Sequence, residues 1–296
     1  MTSYRYSTLN KQITKLRNLY TDLFYSPIVI NACLFYSWGN IVHRNWGDDI
    51  NYFLLKALTG KKISYLYASS LATNNNKDNF LVIGSTITLL TNSHTIIWGA
   101  GVIDPKQQLP AIPQKVLAVR GPLSRQYLLD KGIECPPVYG DPAMLVKYYH
   151  KPQINKKYKL GVIPHYEDFS HPAIQNLKKQ EGVLIIKMEG YGNWLEVIDQ
   201  ICSCEYIASS SLHGLIIAET YEIPNLWIEL YGKLLGGHFK FHDFFLSIGH
   251  DREKPFIIKE NVTTDIILST KPHYTKGQID LKPLVDNSPF KLNISL

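Results

Sequence analysis

His213 stands in the run Ser209-Ser210-Ser211-Leu212-His213-Gly214, between the apolar stretch Tyr206 to Ala208 and the amphipathic stretch Leu215 to Tyr221. A short apolar run, then small polar residues, then a helical period predicts a strand that turns into a helix. The free N–H groups and partial positive charge at such a helix start suit a phosphate or a carboxylate. In the first turn, His213 is within reach of an anion held there and could give it a proton. The competing reading has the imidazole cap the helix or pack beneath it.

Other reactive residues fall just after apolar runs. In Val119-Arg120-Gly121-Pro122-Leu123-Ser124-Arg125, Pro122 suits the first position of a helix, which leaves Arg120 at a strand end pointing into a cleft. Its planar fork matches a carboxylate or phosphate, a structural salt bridge being the alternative, and Arg125 follows about one turn later. Asn45-Trp46-Gly47-Asp48-Asp49-Ile50-Asn51 opens another helix. One acid there caps the helix, and the remainder, with Asn45, could orient sugar hydroxyls or a water. His165 and Tyr166 follow a strand in Ile163-Pro164-His165-Tyr166, and Glu189 follows one in Met188-Glu189-Gly190. Gly236 to Asp243 reads as a glycine-led loop carrying Lys240 with His238 and His242. The i, i+4 histidines lack an HExxH pattern or third ligand, so no metal is expected. Asp141, between Gly140 and Pro142, reads as a turn residue. Trp98-Gly99-Ala100-Gly101 lacks the third glycine of a dinucleotide loop.

Positioning these residues requires alternating strands and helices. Strands are expected at Ile28–Tyr36, Ile63–Ala68, Phe80–Ile83, Thr95–Trp98, Lys115–Val119 and Val138–Tyr139, with helices at Asp48–Leu58 and Pro122–Lys131. A polar stretch from Tyr148 to Lys159 reads as a linker. Beyond it, strands are expected at Leu160–Pro164, Val183–Lys187, Glu205–Ala208 and Asn225–Glu229, with helices at Pro172–Lys179, Trp194–Cys204 and Leu212–Tyr221. The expected fold is α/β: two Rossmann-like parallel-sheet domains, 1–150 and 151–252, facing a cleft in a glycosyltransferase-B-like plan. The tail 253–296 would pack back on the first domain.

With 296 residues, 45% of them hydrophobic and 19% charged, the chain has ample apolar content for such a core. Its net charge of +6 is spread out, which favours a small acidic substrate or an anionic membrane surface over nucleic acid. Cys33, Cys135, Cys202 and Cys204 show no CxxC spacing and read as reduced thiols in a cytoplasm. The sequons at Asn261 and Asn293 would then go unused. The leader lacks a signal-peptide apolar core, and no segment has the length of a membrane span.

Taken in order, Asn45-Trp46-Gly47-Asp48-Asp49, Val119-Arg120-Gly121-Pro122, Gly140-Asp141-Pro142, Pro164-His165-Tyr166 and Ser210-Ser211-Leu212-His213-Gly214 resemble the polysaccharide pyruvyl transferase family. The resemblance implies a cytoplasmic bacterial enzyme, at or near the inner membrane face. It would transfer the enolpyruvyl unit of phosphoenolpyruvate onto a sugar of a lipid-linked surface-polysaccharide repeat unit and form a pyruvate ketal without a cofactor. It carries the catalytic histidine onto His213 and the donor-binding arginine onto Arg120. Ser210 and Ser211 would assist the donor, while Asn45, Asp48, Asp49, His165, Tyr166 and Glu189 would face the acceptor. Many members carry an arginine where this chain has Ser211, so Arg125 and Lys240 are the candidate replacement cations. Two other readings are a nucleotide-sugar-dependent glycosyltransferase on the same plan and a non-catalytic anion-binding member.

Overall fold

The computed structural model describes residues 8–66, 77–231, 235–250 and 252–295. The first half carries helix α1 (Thr8–Tyr25), strand β1 (Ile28–Ile30), a hairpin of β2 (Tyr36–Ser37) and β3 (Asn40–Ile41), helix α2 (Trp46–Thr59), and strands β4 (Ile63–Tyr65) and β5 (Asn79–Leu81). Helix α3 (Ile87–Leu90), strands β6 (Thr95–Trp98) and β7 (Lys115–Ala118), and helices α4 (Pro122–Leu129) and α5 (Val146–Tyr149) complete it. The second half runs β8 (Leu160–Ile163), α6 (Pro172–Leu177), β9 (Val183–Ile185), α7 (Trp194–Cys202), β10 (Ile207–Ser209), α8 (Leu212–Thr220) and β11 (Asn225–Glu229). It ends with α9 (Phe239–Ser247), β12 (Phe256–Ile257), α10 (Thr264–Leu268) and α11 (Lys282–Asp286).

Two parallel five-stranded sheets result, ordered β4-β1-β5-β6-β7 and β12-β11-β10-β8-β9. The inner strands β1 and β8 are buried at every residue, as strands covered on both faces must be. In each sheet the order reverses around one strand, β1 in the first and β8 in the second. Crevices for ligands open beyond the carboxyl ends of strands at such reversals.

The halves are joined through backbone as well as side chains. Trp46, fully buried, donates its backbone N–H to Met188 at 2.7 Å and its indole N–H to the Trp194 carbonyl at 2.8 Å. The Gly190 N–H donates to the His43 carbonyl, and the Tyr191 ring stacks on His43 at 4.2 Å.

Several elements differ from the sequence reading. The expected strand from Ile28 stops at Ile30: Asn31 is buried and turns its amide onto the Leu90 carbonyl at 2.7 Å, and the chain then folds into the β2–β3 hairpin. Expected strand residues 67 and 68 lie outside the described residues. Val138–Tyr139 contributes only a single bridge, Val119 to Tyr139. The glycine-led loop becomes helix α9 from Phe239, because Phe241, Phe244, Phe245 and Ile248 recur at helical spacing and are all buried. The stretch after His213 is not amphipathic either. Gly214 to Thr220 are all buried, since α8 lies between its own sheet and elements of the first half.

The second sheet extends past residue 252, where β12 pairs with β11. Buried Glu219 ties the following chain down, accepting from Asn225 at 2.9 Å, Tyr274 at 3.0 Å and the Gly277 N–H at 3.1 Å while pairing with Arg252. From there the chain returns to the first sheet. The Trp98 indole donates to the Leu284 carbonyl at 2.9 Å, Phe290 packs edge-on to Phe80, and the Asn293 N–H reaches the Leu58 carbonyl.

Candidate active site

Helix α2 begins at the carboxyl end of the first sheet. Asn45 caps it, its side-chain oxygen accepting from the Gly47 N–H at 3.1 Å while its amide donates to Asp48 at 2.6 Å. Asp49 turns the other way and accepts from the Tyr191 hydroxyl at 2.6 Å. Burial pushes both carboxyls up to about 7; Asp48 is further raised by Asp49, and in each case hydrogen bonds only partly oppose the shift. Half-buried Cys33, beyond β1, is pushed up to about 12, first by burial and then by Asp48, so it holds its proton.

Helix α8 begins at the carboxyl end of the second sheet, and its cap is open. Ser211, at the cap position, makes no side-chain capping bond, and the N–H groups of Leu212, His213 and Gly214 have no partner among the described residues. His213 lies against the first turn of α2: a Cβ at Gly47 would overlap Nδ1 of the imidazole, so this glycine is what admits the ring. The histidine Nε2 is buried without a hydrogen-bond partner. Burial, then the charges of Arg120 and Lys240, push its pKa down to about 3, so the ring is neutral at ordinary pH.

Helix α9 supplies the cation. Lys240 makes no ion pair or hydrogen bond among the described residues. Burial and Arg120 pull its pKa down to about 8, partly opposed by Asp48 and Glu167. Its charge is felt by Asp48, His165 and His213 alike, which places it among the groups that end both sheets.

Arg120, expected to point into the cleft, is instead enclosed, with no exposed side chain. It donates from Nε to Asp243 at 3.0 Å, from one terminal nitrogen to Ser85 at 2.6 Å, and from the other to the Val102 carbonyl at 3.0 Å, with Asp243 at 2.9 Å from the same nitrogen. Asp243 also accepts from the Ser124 N–H at 2.8 Å and its hydroxyl at 2.6 Å. It thereby caps α4, whose own cap residue, Gly121, has no room for a Cβ against the Asp243 backbone. Arg125 donates to the Cys135 carbonyl at 2.9 Å and to none of the groups around His213.

Ser210 is occupied as well: it donates to Asp168 at 2.7 Å and accepts from the His165 N–H at 2.8 Å, shaping the loop after β8. His165 stacks obliquely on exposed Tyr166, and its buried Nδ1 has no hydrogen-bond partner. Burial, then Lys240, lowers its pKa. Glu189 is exposed, and its charge acts on Tyr166 together with that of Asp48. Asp141 caps the 3-10 turn Pro142–Leu145 through the Ala143 N–H at 2.9 Å, and His238 pairs with Glu229 at 2.6 Å.

The structure therefore brings together Asn45, Asp48, His165, Tyr166, Ser211, His213 and Lys240, and turns the side chains of Arg120, Arg125 and Ser210 to protein partners. Sequence reasoning missed Asp243 and Tyr191. A lone aspartate inside the aromatic run Phe241-His242-Asp243-Phe244-Phe245 was the available signal for a buried charge needing a partner. An open helix start, an unpaired lysine, a neutral imidazole and a carboxyl that titrates near neutrality can grip a small anion and relay protons across it.

A sequence model of the family described as polysaccharide pyruvyl transferase matches residues 10–230. Among curated proteins, "Uncharacterized protein L143" of Acanthamoeba polyphaga mimivirus is 27% identical over 215 residues, 71% of this chain and 73% of that protein. "Succinoglycan biosynthesis protein ExoV" of Rhizobium meliloti (strain 1021) is 27% identical over 230 residues, 72% of this chain and 64% of that protein.

Proposed function

The chain belongs to the polysaccharide pyruvyl transferase family, and from that premise we propose that it moves the pyruvyl group of phosphoenolpyruvate onto two hydroxyls of a lipid-linked polysaccharide sugar, closing a cyclic ketal. We read the two sheets as a glycosyltransferase-B-like pair with the reaction between them, on the cytoplasmic side. The observation that carries the reading is the unpartnered Nε2 of His213 at an uncapped helix start beside unpaired Lys240.

In this reading the phosphate lies on the N–H groups of α8, and Lys240 takes the position of the missing arginine of the family pattern. Arg120, held by Asp243, contributes its field without touching the donor. The balance of the reaction requires two protons to move. One hydroxyl proton ends on the methylene carbon, which becomes a methyl group; the other ends on the departing phosphate.

Asp48, with its carboxyl near 7, gives its proton to the methylene carbon, and the first sugar oxygen bonds to the carbon that bears the phosphate. Neutral His213 takes the proton of that hydroxyl and passes it to the phosphate oxygen as the C–O bond breaks. The second hydroxyl attacks the resulting oxocarbenium centre and returns its proton to Asp48. A bound multiply charged anion offsets the two cations that depress His213, which favours its protonation at that moment.

The test is thermal unfolding with phosphoenolpyruvate or a uridine diphosphate sugar, followed by phosphate release with candidate glycan acceptors. Phosphoenolpyruvate at a hundred times its Kd adds about 2.7 kcal/mol in the wild type and measurably less in Lys240→Met. Stabilisation by the nucleotide sugar alone overturns the proposal.

A further inference from the structure

Helix α1 is built with its faces reversed. Thr14, Asn18 and Asp22, at i, i+4 and i+8, are buried against the protein. Leu16, Tyr20, Leu23 and Phe24 face outward, 64%, 55%, 62% and 68% exposed. A surface helix ordinarily places its apolar stripe inside and its polar residues in water. Tyr20, Phe24 and Tyr25 cluster, with ring centroids 4.9 Å and 5.9 Å from Tyr20.

Positive charge surrounds this apolar face. Lys15, Arg17, Lys56, Lys61 and Lys62 are exposed, and Lys62 stands 5.3 Å from the Tyr25 ring centre. Asp22, the only acid in the helix, is buried. Beside the helix lies a cavity of about 430 Å³ between α1, the β2–β3 hairpin and the outer side of α2. Its wall includes Arg17, Asn18, Asn40, His43, Lys56 and Lys62, and no carboxylate. Asn18 is 6% exposed, and its Nδ2 donor has no partner. An unpartnered buried donor in a cation-lined, acid-free cavity suits a phosphate group.

We infer that α1 and the adjoining cavity dock the protein onto an anionic lipid surface, the apolar face entering the acyl boundary and the cavity seating a phospholipid headgroup. Aromatic and aliphatic side chains flanked by lysine and arginine are the chemistry of helices that lie in a membrane interface. No described helix is long and apolar enough to cross a membrane, so the contact is one of lying on the surface. None of Asn45, Asp48, His165, Tyr166, Ser211, His213 and Lys240 lines this cavity, so the docking does not depend on the donor or acceptor used at His213.

The test is cosedimentation of the full chain with vesicles of phosphatidylcholine alone or mixed with phosphatidylglycerol. Wild type binds the mixed vesicles and scarcely the neutral ones. Phe24→Glu weakens binding by at least about ten-fold through lost apolar insertion. Lys61→Glu and Lys62→Glu each weaken it by at least about five-fold. Unchanged melting temperatures, and unchanged stabilisation by phosphoenolpyruvate, show that these surface variants remain folded and that the two sites fail separately. Failure to bind, equal binding to neutral vesicles, or unaltered binding by Phe24→Glu overturns the proposal. So does a wild-type dimer that Phe24→Glu dissociates without any vesicle binding, since the face would then belong to a second copy.

Discussion

Arg120 and Lys240 are two cations drawn to the same end of the two sheets, yet their surroundings are opposite. Arg120 is sealed from water and held by Asp243, Ser85 and a backbone carbonyl; Lys240 is partly accessible, lies 5.4 Å from the Phe241 ring centre and makes no hydrogen bond or ion pair among the described residues. The first is a lock: a fully hydrogen-bonded buried pair joins α9 to the start of α4 and so fixes where Lys240 stands. The second is the group to which the proposed reaction assigns the donor's anion, with the neutral His213 and the protonatable Asp48 near it. Saturated polar groups set the geometry, and the proposed reaction draws its binding and proton transfer from the unsaturated ones.

The sharpest break between the two regions is His213→Gln. Turnover falls by about a hundred- to ten-thousand-fold, read as phosphate release under saturating donor, because a proton relay is removed. The unfolding midpoint in urea stays within error, since Nε2 of this histidine has no protein partner to lose. Asp243→Ala does the reverse. It leaves the Arg120 charge buried and the start of α4 uncapped, lowering stability by ~3–5 kcal/mol in urea unfolding. Replacing both partners, as Arg120→Met with Asp243→Leu, recovers at least half of that loss; a double variant no better than Asp243→Ala would mean that the pair does more than neutralise itself.

This contrast also explains what the sequence reveals. Strands β6, β8 and β11 and the helices after Trp46 and Pro122 are legible because their apolar runs and caps are local. His213 is legible because a strand, three serines and a helix stand next to one another in the chain. The burial of Arg120 is not, because its partner lies 123 residues away in α9. Nothing near Val119-Arg120-Gly121-Pro122 distinguishes a cleft arginine from a sealed one. The loop reading of Gly236 to Asp243 fails for a related reason: two glycines dominate its start, while the aromatic spacing that makes α9 becomes visible only from Phe241 onward. Glu219, at the end of an apolar helix, gives no local hint that it ties down residues 252–277.

A smaller effect sharpens the comparison from the cation side. Lys240→Met weakens phosphoenolpyruvate binding by about ten- to a hundred-fold, the range expected for losing one charge-assisted contact, and leaves urea stability unchanged. With its pKa near 8, wild-type affinity falls as pH rises through 8, whereas the variant is flat there. Titration calorimetry at pH 7 and pH 9 reads both. Equal affinities for wild type and variant would move the donor's anion elsewhere in the cleft.

The smallest expected effect concerns Asp48. Its folded pKa, about 7, lies above the ordinary carboxylate value, so the native state binds a proton more tightly than the unfolded chain does. Stability therefore declines as pH rises from about 4 to about 7, where the native protein must ionise a group it shields from water. Asp48→Asn removes that penalty without changing the size of the side chain. At pH 8 the variant is more stable than the wild type by on the order of 1 kcal/mol, well below the linkage ceiling because Asp48 as a residue is only half-buried. At pH 4 the two melt together, while turnover of the variant is impaired at both. A variant no more stable at pH 8 than at pH 4, relative to wild type, would place the Asp48 carboxyl in its ordinary range, and it would then be ionised and unable to supply the proton for the methylene carbon.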